Sequence, residues 1–223
     1  TAFRVGYDAQ YLYVFVRLYD VRPDSIVGRL SRRDDQSVSD HVTVMIDSYH
    51  DKRTGFEFQV NPVGVKADYA IYNDGEEDSA WDAVWDVATK VDSLGWTAEY
   101  RIPFSQLRFA PKDEVTFGFM VWRNLQRFTA QVSWPIYRQS KTGFVSQFGE
   151  LRGLVGLASP RRAEVVPYVV AQSAPAPGTF DRSQKLSAGG DLRLALASNI
   201  LLDATVNPDF GQVEADPAEV NLS

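Results

Sequence analysis

The chain has 223 residues, of which 44 % are hydrophobic and 13 % aromatic, and its formal net charge is −6. This hydrophobic fraction predicts a folded core, and the acidic balance argues against nucleic-acid binding, which requires clustered Lys and Arg. The absence of cysteine excludes disulfides, thiolate metal sites and cysteine nucleophiles, and no run approaches the ~20 apolar residues of a membrane-spanning helix.

Two strands are predicted at the start of the chain. Phe3, Val5 and Tyr7 alternate with other residues, and the segment 11–19 is nearly all apolar. A strand that is apolar on both faces is typical of the middle of a sandwich. The chain thus opens on Thr1 within a strand pattern, and we expect it to be a mature or trimmed portion of a longer chain.

A polar segment follows at residues 22–39. Its basic residues Arg29, Arg32 and Arg33 lie close in sequence to Asp34 and Asp35. We interpret it as a solvated, self-neutralising loop, with a basic site for an anionic ligand as the alternative.

Residues 40–72 hold three segments in which apolar and polar residues alternate, separated by turn residues at 50–55 and 61–64. This period of two predicts half-buried antiparallel strands joined by hairpins, and hence a β-meander. The positions that share a face in each segment are Val42, Val44 and Ile46; Phe56, Phe58 and Val60; and Val65, Ala67, Tyr69 and Ile71.

Two tryptophans, Trp81 and Trp85, come next, in a segment whose spacing predicts a strand with both indoles on one face. Aromatic platforms bind sugars through the apolar faces of the rings. The competing interpretation is an ordinary core, because large aromatic side chains dominate the interiors of β-sandwiches. Trp122 and Asn124, at the end of a later predicted strand, are reserve candidates for sugar binding.

Further strands are predicted at 96–102, 115–121 and 131–134, with a short helical turn at 103–107 and a closing segment at 148–151. Proline is tolerated at the first position of such a turn. The first 155 residues therefore have the pattern of one antiparallel β-sandwich.

Several of these motifs resemble the family 9 carbohydrate-binding module. They are the Asp-x-Val-x-Val-x-x-Asp strand at 40–47, Gly-Phe-x-Phe at 55–58, Asn-Pro-x-Gly at 61–64, the Trp81–Trp85 pair and the segment 95–104. More narrowly, they resemble the copy of this module at the N-terminus of certain outer-membrane β-barrel proteins of Gram-negative bacteria. The resemblance covers roughly residues 1–155 and implies a sugar-binding sandwich.

Calcium is the one cofactor that the sequence suggests. The turn at 73–78 carries four carboxylates in five positions, and carboxylate oxygens are the ligands that calcium prefers. The spacing is not that of a helix–loop–helix calcium loop, but the resemblance implies structural calcium. The candidate ligands are Asp47, Asp51, Asp68 and Asp74.

After residue 155 the composition changes, which predicts a β-rich extension over residues 156–223. Strands are predicted at 165–170, 191–196 and 200–206, followed by an extended acidic tail from Asn207 to Ser223. The tail resembles the opening of the barrel region of the same outer-membrane proteins. Three strands are too few for a membrane-spanning barrel, so we expect a small sheet that packs on the sandwich or on another protein.

The sequence gives no positive indication of an enzyme. His41 and His50 are the only histidines, and no nucleophile elbow, phosphate-binding glycine loop or paired-histidine metal motif is present. We therefore predict no hydrolytic turnover.

Two functions remain open. One is a non-catalytic glycan-binding module on the periplasmic side of the cell envelope. The other is an accessory subunit that has lost sugar binding and docks on a membrane-protein partner, since a fold does not fix a function.

Overall fold

The structure is a computed structural model that describes residues 1–35, 37–110, 112–157, 163–175, 182–197 and 200–207. The chain divides into two compact units, Thr1–Pro160 and Arg161–Ser223. The boundary thus lies five residues beyond the position at which the composition changes.

The described residues form antiparallel strands joined by turns and four short 3₁₀ helices. The 3₁₀ helices are Pro23–Ser25, Phe104–Gln106, Gln126–Phe128 and Val145–Gln147. The strands of the first unit are β1 (Ala2–Tyr7), β2 (Tyr11–Tyr19), β3 (His41–Asp47), β4 (Gly55–Val60), β5 (Lys66–Tyr72), β6 (Glu76–Asp78), β7 (Asp86–Asp92), β8 (Gly95–Pro103), β9 (Glu114–Leu125), β10 (Ala130–Trp134) and β11 (Gly149–Val155). Those of the second unit are β12 (Ala163–Pro175), β13 (Arg182–Ala197) and β14 (Ile200–Val206).

The first unit is a β-sandwich, which confirms the predicted fold class. One sheet has the strand order β1-β2-β8-β7. The other has the order β10-β9-β3-β4-β5-β6, and β11 pairs with the opposite end of β9 from β10. Large apolar side chains from both sheets form one core between them.

Strand β2 lies between β1 and β8, as its apolar sequence predicts. Only one of its faces is buried, however: Leu12, Val14, Val16 and Leu18 are at most 1 % exposed. On the other face Tyr13 and Phe15 are each 38 % exposed. The second apolar face therefore faces outward.

The central meander is also confirmed, with one correction. Val44, Ile46 and Phe58 are completely buried in the core, as predicted. The third predicted set, which includes Tyr69, is buried on the opposite face of the sheet. The reason is the register, because Phe58 lies opposite Asp68 and directly opposite residues share a face.

The second unit is an antiparallel sheet of order β12-β13-β14, in which β12 and β13 are longer than the sequence predicts and β14 has the predicted bounds. Val165 lies opposite Leu192, which lies opposite Ala204, so these positions share a face. Several apolar side chains of the unit are solvent-exposed, among them Val165 (68 %) and Leu186 (74 %). The predicted acidic tail lies outside the described residues except for Asn207.

Among the described residues, no helix is long and apolar enough to cross a membrane.

Candidate functional site

The predicted Trp81–Trp85 platform needs correction. Trp85 is 2 % exposed and stacks on Tyr100 with ring centroids 5.7 Å apart, so its indole has no face available for a sugar. Trp81 is half-buried and packs 4.7 Å from Phe56. Both indoles contact Phe58, so this region corresponds to the core alternative that the sequence also allowed.

The segment that carries these tryptophans is a loop, and β7 begins only at Asp86. Its backbone bonds to side chains from elsewhere in the fold. The N–H of Ala83 donates to Asp68, the N–H of Val84 donates to Gln106, and the carbonyl of Trp85 accepts from Lys66. These long-range bonds replace the strand ladder that the alternation predicts.

Asp68 is the centre of this region. Its carboxylate is completely buried and accepts hydrogen bonds from the indole N–H of Trp85 at 3.2 Å, from the N–H of Ala83 and from Arg33. A buried carboxylate is costly unless such partners compensate its lost hydration. The polar residues around Trp85 are therefore structural.

The four candidate calcium ligands do not converge on one point. Within the described part of the chain, the acidic residues close enough to share an ion are Asp34, Asp68 and Asp82. Arg33 already lies among them, with a nitrogen 2.7 Å from Asp82 and another 3.5 Å from Asp34. Burial lowers the pKa of Arg33 and the Asp68 carboxylate raises it, with a net increase, so the guanidinium stays charged. This donor set does not fit calcium, because the positive charge comes from the chain itself.

The other three aspartates organise loops. Asp47 is 1 % exposed and accepts from the N–H of Lys52 at 2.9 Å, and Asp51 accepts from the N–H groups of Arg53 and Thr54. Asp74 accepts from the N–H groups of Phe144 (3.0 Å) and Ser146 (2.8 Å). Each carboxylate is thus used by nearby backbone amides.

Strand β9 continues beyond its predicted end, so Trp122 and Asn124 lie within it on one face, and both are half-buried. Asn124 is opposite His41 in the neighbouring strand and donates to the carbonyl of Ser39 at 3.3 Å. The indole of Trp122 packs 5.5 Å from Tyr137 and 6.0 Å from Phe144, ring centroid to ring centroid. Trp122 thus supports the segment that follows β10.

The last residue of β10 is the side chain that the sequence did not indicate as a binding residue. Trp134 is 48 % exposed, whereas the other four tryptophans are buried or half-buried. It ends the edge strand β10 and packs on Phe3 with ring centroids 5.1 Å apart, which leaves the rest of the indole in solvent. A Cβ at Gly149 would lie 2.9 Å from Pro135 and 3.3 Å from Trp134, so glycine permits this close packing.

Trp134 forms one wall of a cleft of about 680 Å³, a volume within the usual range of ligand pockets. The apolar side chains of Pro135 and Ile136 continue that wall, and Ile136 is 76 % exposed. The remaining rim is polar and cationic, formed by Arg138, Lys141, Thr142, Ser146 and Gln147.

The rim is held in place by Gln147. Its side-chain amide accepts from the N–H of Arg138 at 3.0 Å and donates to the carbonyl of Gly143 at 2.7 Å. Asp74 holds the adjoining residues Phe144 and Ser146. Burial raises the pKa of Asp74, but the hydrogen bonds from Ser146 and Phe144 outweigh it and lower the pKa overall. The cleft is therefore pre-organised by bonds that do not use its apolar wall.

A second cleft, of about 500 Å³, lies near His50 and differs in character. None of the described residues that line it is a tryptophan, and three of its polar groups contact each other: His50 is 3.6 Å from Glu150, which also binds Arg152. Groups that contact each other in this way are less available to bind a ligand. The Trp134 cleft is the better candidate.

One signal in the sequence could have indicated Trp134. Proline within a sheet is confined to edges and strand ends, and Pro135 directly follows this residue. A tryptophan on an edge strand lacks a neighbouring strand on one side. Its exposure was therefore predictable in principle.

The comparisons with known proteins agree with this architecture. Residues 1–142 match the family described as carbohydrate family 9 binding domain-like, and residues 159–223 match a domain of unknown function, DUF5916. A comparison with curated proteins gave no match.

Three solved structures are similar. A protein from Bacteroides uniformis assigned as carbohydrate-binding is 16 % identical over 67 % of this chain and 76 % of its own, with a TM-score of 0.54, and shows the same fold. A family 9 module from Caldicellulosiruptor kristjanssonii was solved with cellotriose; it is 20 % identical over 67 % of this chain and 72 % of its own, with a TM-score of 0.47. A family 9 module from the same organism was also solved with glucose; it is 21 % identical over 71 % of this chain and 79 % of its own, with a TM-score of 0.48.

Proposed function

Through residues 1–142 this chain belongs to the carbohydrate family 9 binding domain-like family, and from that premise we propose that its sandwich binds a glycan at the Trp134 cleft without catalysing a reaction. The observation that carries this proposal is the half-exposed indole of Trp134 in a cleft with a polar rim. The proposal replaces the predicted platform at Trp81 and Trp85.

The chemistry of the cleft suits a sugar. A pyranose ring has an apolar face that stacks on an indole, and hydroxyl groups at its edge that need hydrogen-bond partners. Trp134 and Ile136 offer the apolar wall, while Thr142 and Ser146 offer hydroxyl groups on the rim. The affinity expected of such a site is micromolar to millimolar, roughly 4–8 kcal/mol.

Tryptophan fluorescence tests this assignment. We expect a ligand found on a glycan array to change the emission of the wild-type protein and to leave that of Trp134→Ala unchanged. Val132→Ala is the matched control, because Val132 is 49 % exposed on the same strand but does not line the cleft. Unaltered titration curves in Trp134→Ala would refute the assignment.

We further propose that the protein works on the periplasmic side of the cell envelope, where its second unit docks on a membrane protein. The support is the apolar surface of that unit, on which Val165, Val169 and Leu186 are each at least 68 % exposed. Exposed apolar patches of this kind mark interaction sites.

Removal of residues 163–223 tests the docking role. The first unit has its own core, so the shortened protein should stay folded but lose its association with membrane fractions. Retained association would assign the docking role to the sandwich. Glycan binding should be unaffected in either case.

A further inference from the structure

The charge of the Trp134 cleft is opposite to that of the whole protein. The chain carries a net charge of −6, yet the described residues that line the cleft include two cations, Arg138 and Lys141, and no acidic residue. Charge of one sign concentrated in a cleft favours a ligand of the other sign.

Both cations are exposed and free to bind a ligand. Over the described ranges of the chain, neither Arg138 nor Lys141 forms an ion pair. Arg17 and Arg101, by contrast, are paired with Asp92 and Asp86. Asp74 touches the same loop, but its carboxylate accepts from the backbone of Phe144 and Ser146.

The backbone brings the two cations together. The N–H of Lys141 donates to the carbonyl of Arg138 at 3.0 Å, which closes a turn between them. Residues at the two ends of such a turn have Cα atoms less than about 7 Å apart. Gln147 bonds to the carbonyls of Arg138 and Gly143 and holds this turn beside the indole.

We propose that the ligand of this cleft is an acidic glycan whose sugar carboxylate binds Arg138 and Lys141 while a pyranose face stacks on Trp134. A guanidinium matches a carboxylate in shape and can donate two parallel hydrogen bonds, and an ammonium adds a point charge. This inference rests on the proposed glycan-binding function and names the ligand class for the same site.

The test uses the full chain and a panel of oligouronates containing galacturonate, mannuronate, guluronate or glucuronate. Each is paired with its carboxyl-reduced form, in which the carboxylate has become a primary alcohol. The variants are Arg138→Gln/Lys141→Gln, Trp134→Ala and a control, Lys90→Gln/Arg108→Gln, which removes the same charge from exposed positions outside the cleft. A neutral glycan array runs in parallel.

We expect at least one oligouronate to bind roughly tenfold or more tightly than its reduced form. That preference should disappear in Arg138→Gln/Lys141→Gln and persist in the control, and binding should be roughly 30-fold weaker in Trp134→Ala. Rising salt should weaken the wild-type interaction.

Equal binding of both forms, weakened in Trp134→Ala, would overturn the acidic specificity and leave the proposed function standing. Binding of neutral glycans alone, weakened in Trp134→Ala, would likewise overturn the acidic specificity and leave the proposed function standing. Oligouronate binding that is unchanged in Trp134→Ala would show that the acidic ligand does not bind at this cleft and would overturn the proposal. No binding of any glycan, acidic or neutral, would overturn both proposals.

Discussion

The region around Asp68 and the Trp134 cleft use similar residue types for opposite purposes. At Asp68, an arginine, an indole N–H and a backbone amide all bond to one buried carboxylate. At the cleft, the Trp134 indole is 48 % exposed, and Arg138 forms no ion pair with the described part of the chain. The difference shows that a structural cluster is distinguished from a binding site less by its residue types than by whether its side chains are already bonded within the protein.

The largest effect on stability in this comparison is expected from Glu57. It is 5 % exposed and one of its carboxyl oxygens has no hydrogen-bond partner, unlike Asp68. Burial, with a smaller contribution from Glu77, raises its pKa from 4.5 to about 8. The folded protein therefore holds a proton there that the unfolded chain releases above about pH 4.5.

Stability should accordingly fall as pH rises between these two pKa values, by roughly 5 kcal/mol in total. In Glu57→Gln this slope should be absent, so the variant should be more stable than wild type at pH 8. Urea unfolding at several pH values measures the effect, with the exposed Glu99→Gln as control. Parallel pH profiles for wild type and Glu57→Gln would contradict the role of burial.

Trp85→Ala tests the buried region around Asp68. Removing this buried indole should cost about 3–5 kcal/mol of unfolding free energy, because it leaves a cavity against Tyr100 and Phe58 and removes a donor from Asp68. Denaturant titration gives the value. Under conditions where the variant is folded, glycan affinity should equal that of wild type; a loss of affinity would return Trp85 to the binding site.

Arg33→Met should cost about 3 kcal/mol, because it leaves the buried Asp68 with only its backbone and indole donors. Since Arg33 supplies the cation of this cluster, removing calcium with a chelator should not change the melting temperature of the wild-type protein. A chelator-induced drop would show that a metal contributes after all. Arg108→Met, at an exposed site, is the control.

Asp74→Ala should cost about 1–3 kcal/mol by leaving the N–H groups of Phe144 and Ser146 without their acceptor. Because the pKa of Asp74 is lowered in the folded state, its contribution is present above its unfolded pKa near 4 and is lost as pH falls below it. Unlike Trp85→Ala, this change should also weaken glycan binding, which calorimetry can measure against Asp51→Ala. Equal affinities in the two variants would mean that the loop need not be fixed.

The sequence predicts the sandwich well because alternation along a strand is a local property. Val44, Ile46 and Phe58 are in the core as their period of two indicates. What alternation does not contain is which face of a strand meets the other sheet. Asp68 can face inward because distant residues compensate its charge, among them Arg33, 35 residues earlier in the chain.

The binding site was harder to predict for a related reason. Trp81 and Trp85 share the spacing of an exposed platform, yet bonds from Asp68, Gln106 and Lys66 fold their segment into the core. Trp134 has an ordinary strand context, and its exposure depends on β10 being an edge strand. Both facts follow from the arrangement of distant strands, which local patterns do not record.

Calorimetric titration of one array-selected glycan into wild type, Trp134→Ala and Val132→Ala tests the central claim most directly. The account predicts that Trp134→Ala binds roughly 30-fold more weakly, about 2 kcal/mol, while its unfolding free energy stays within about 1 kcal/mol of wild type. Val132→Ala should bind as wild type does. Unchanged affinity in Trp134→Ala, together with lost affinity in Trp81→Ala or Trp122→Ala, would contradict the account and restore the platform that the sequence predicts.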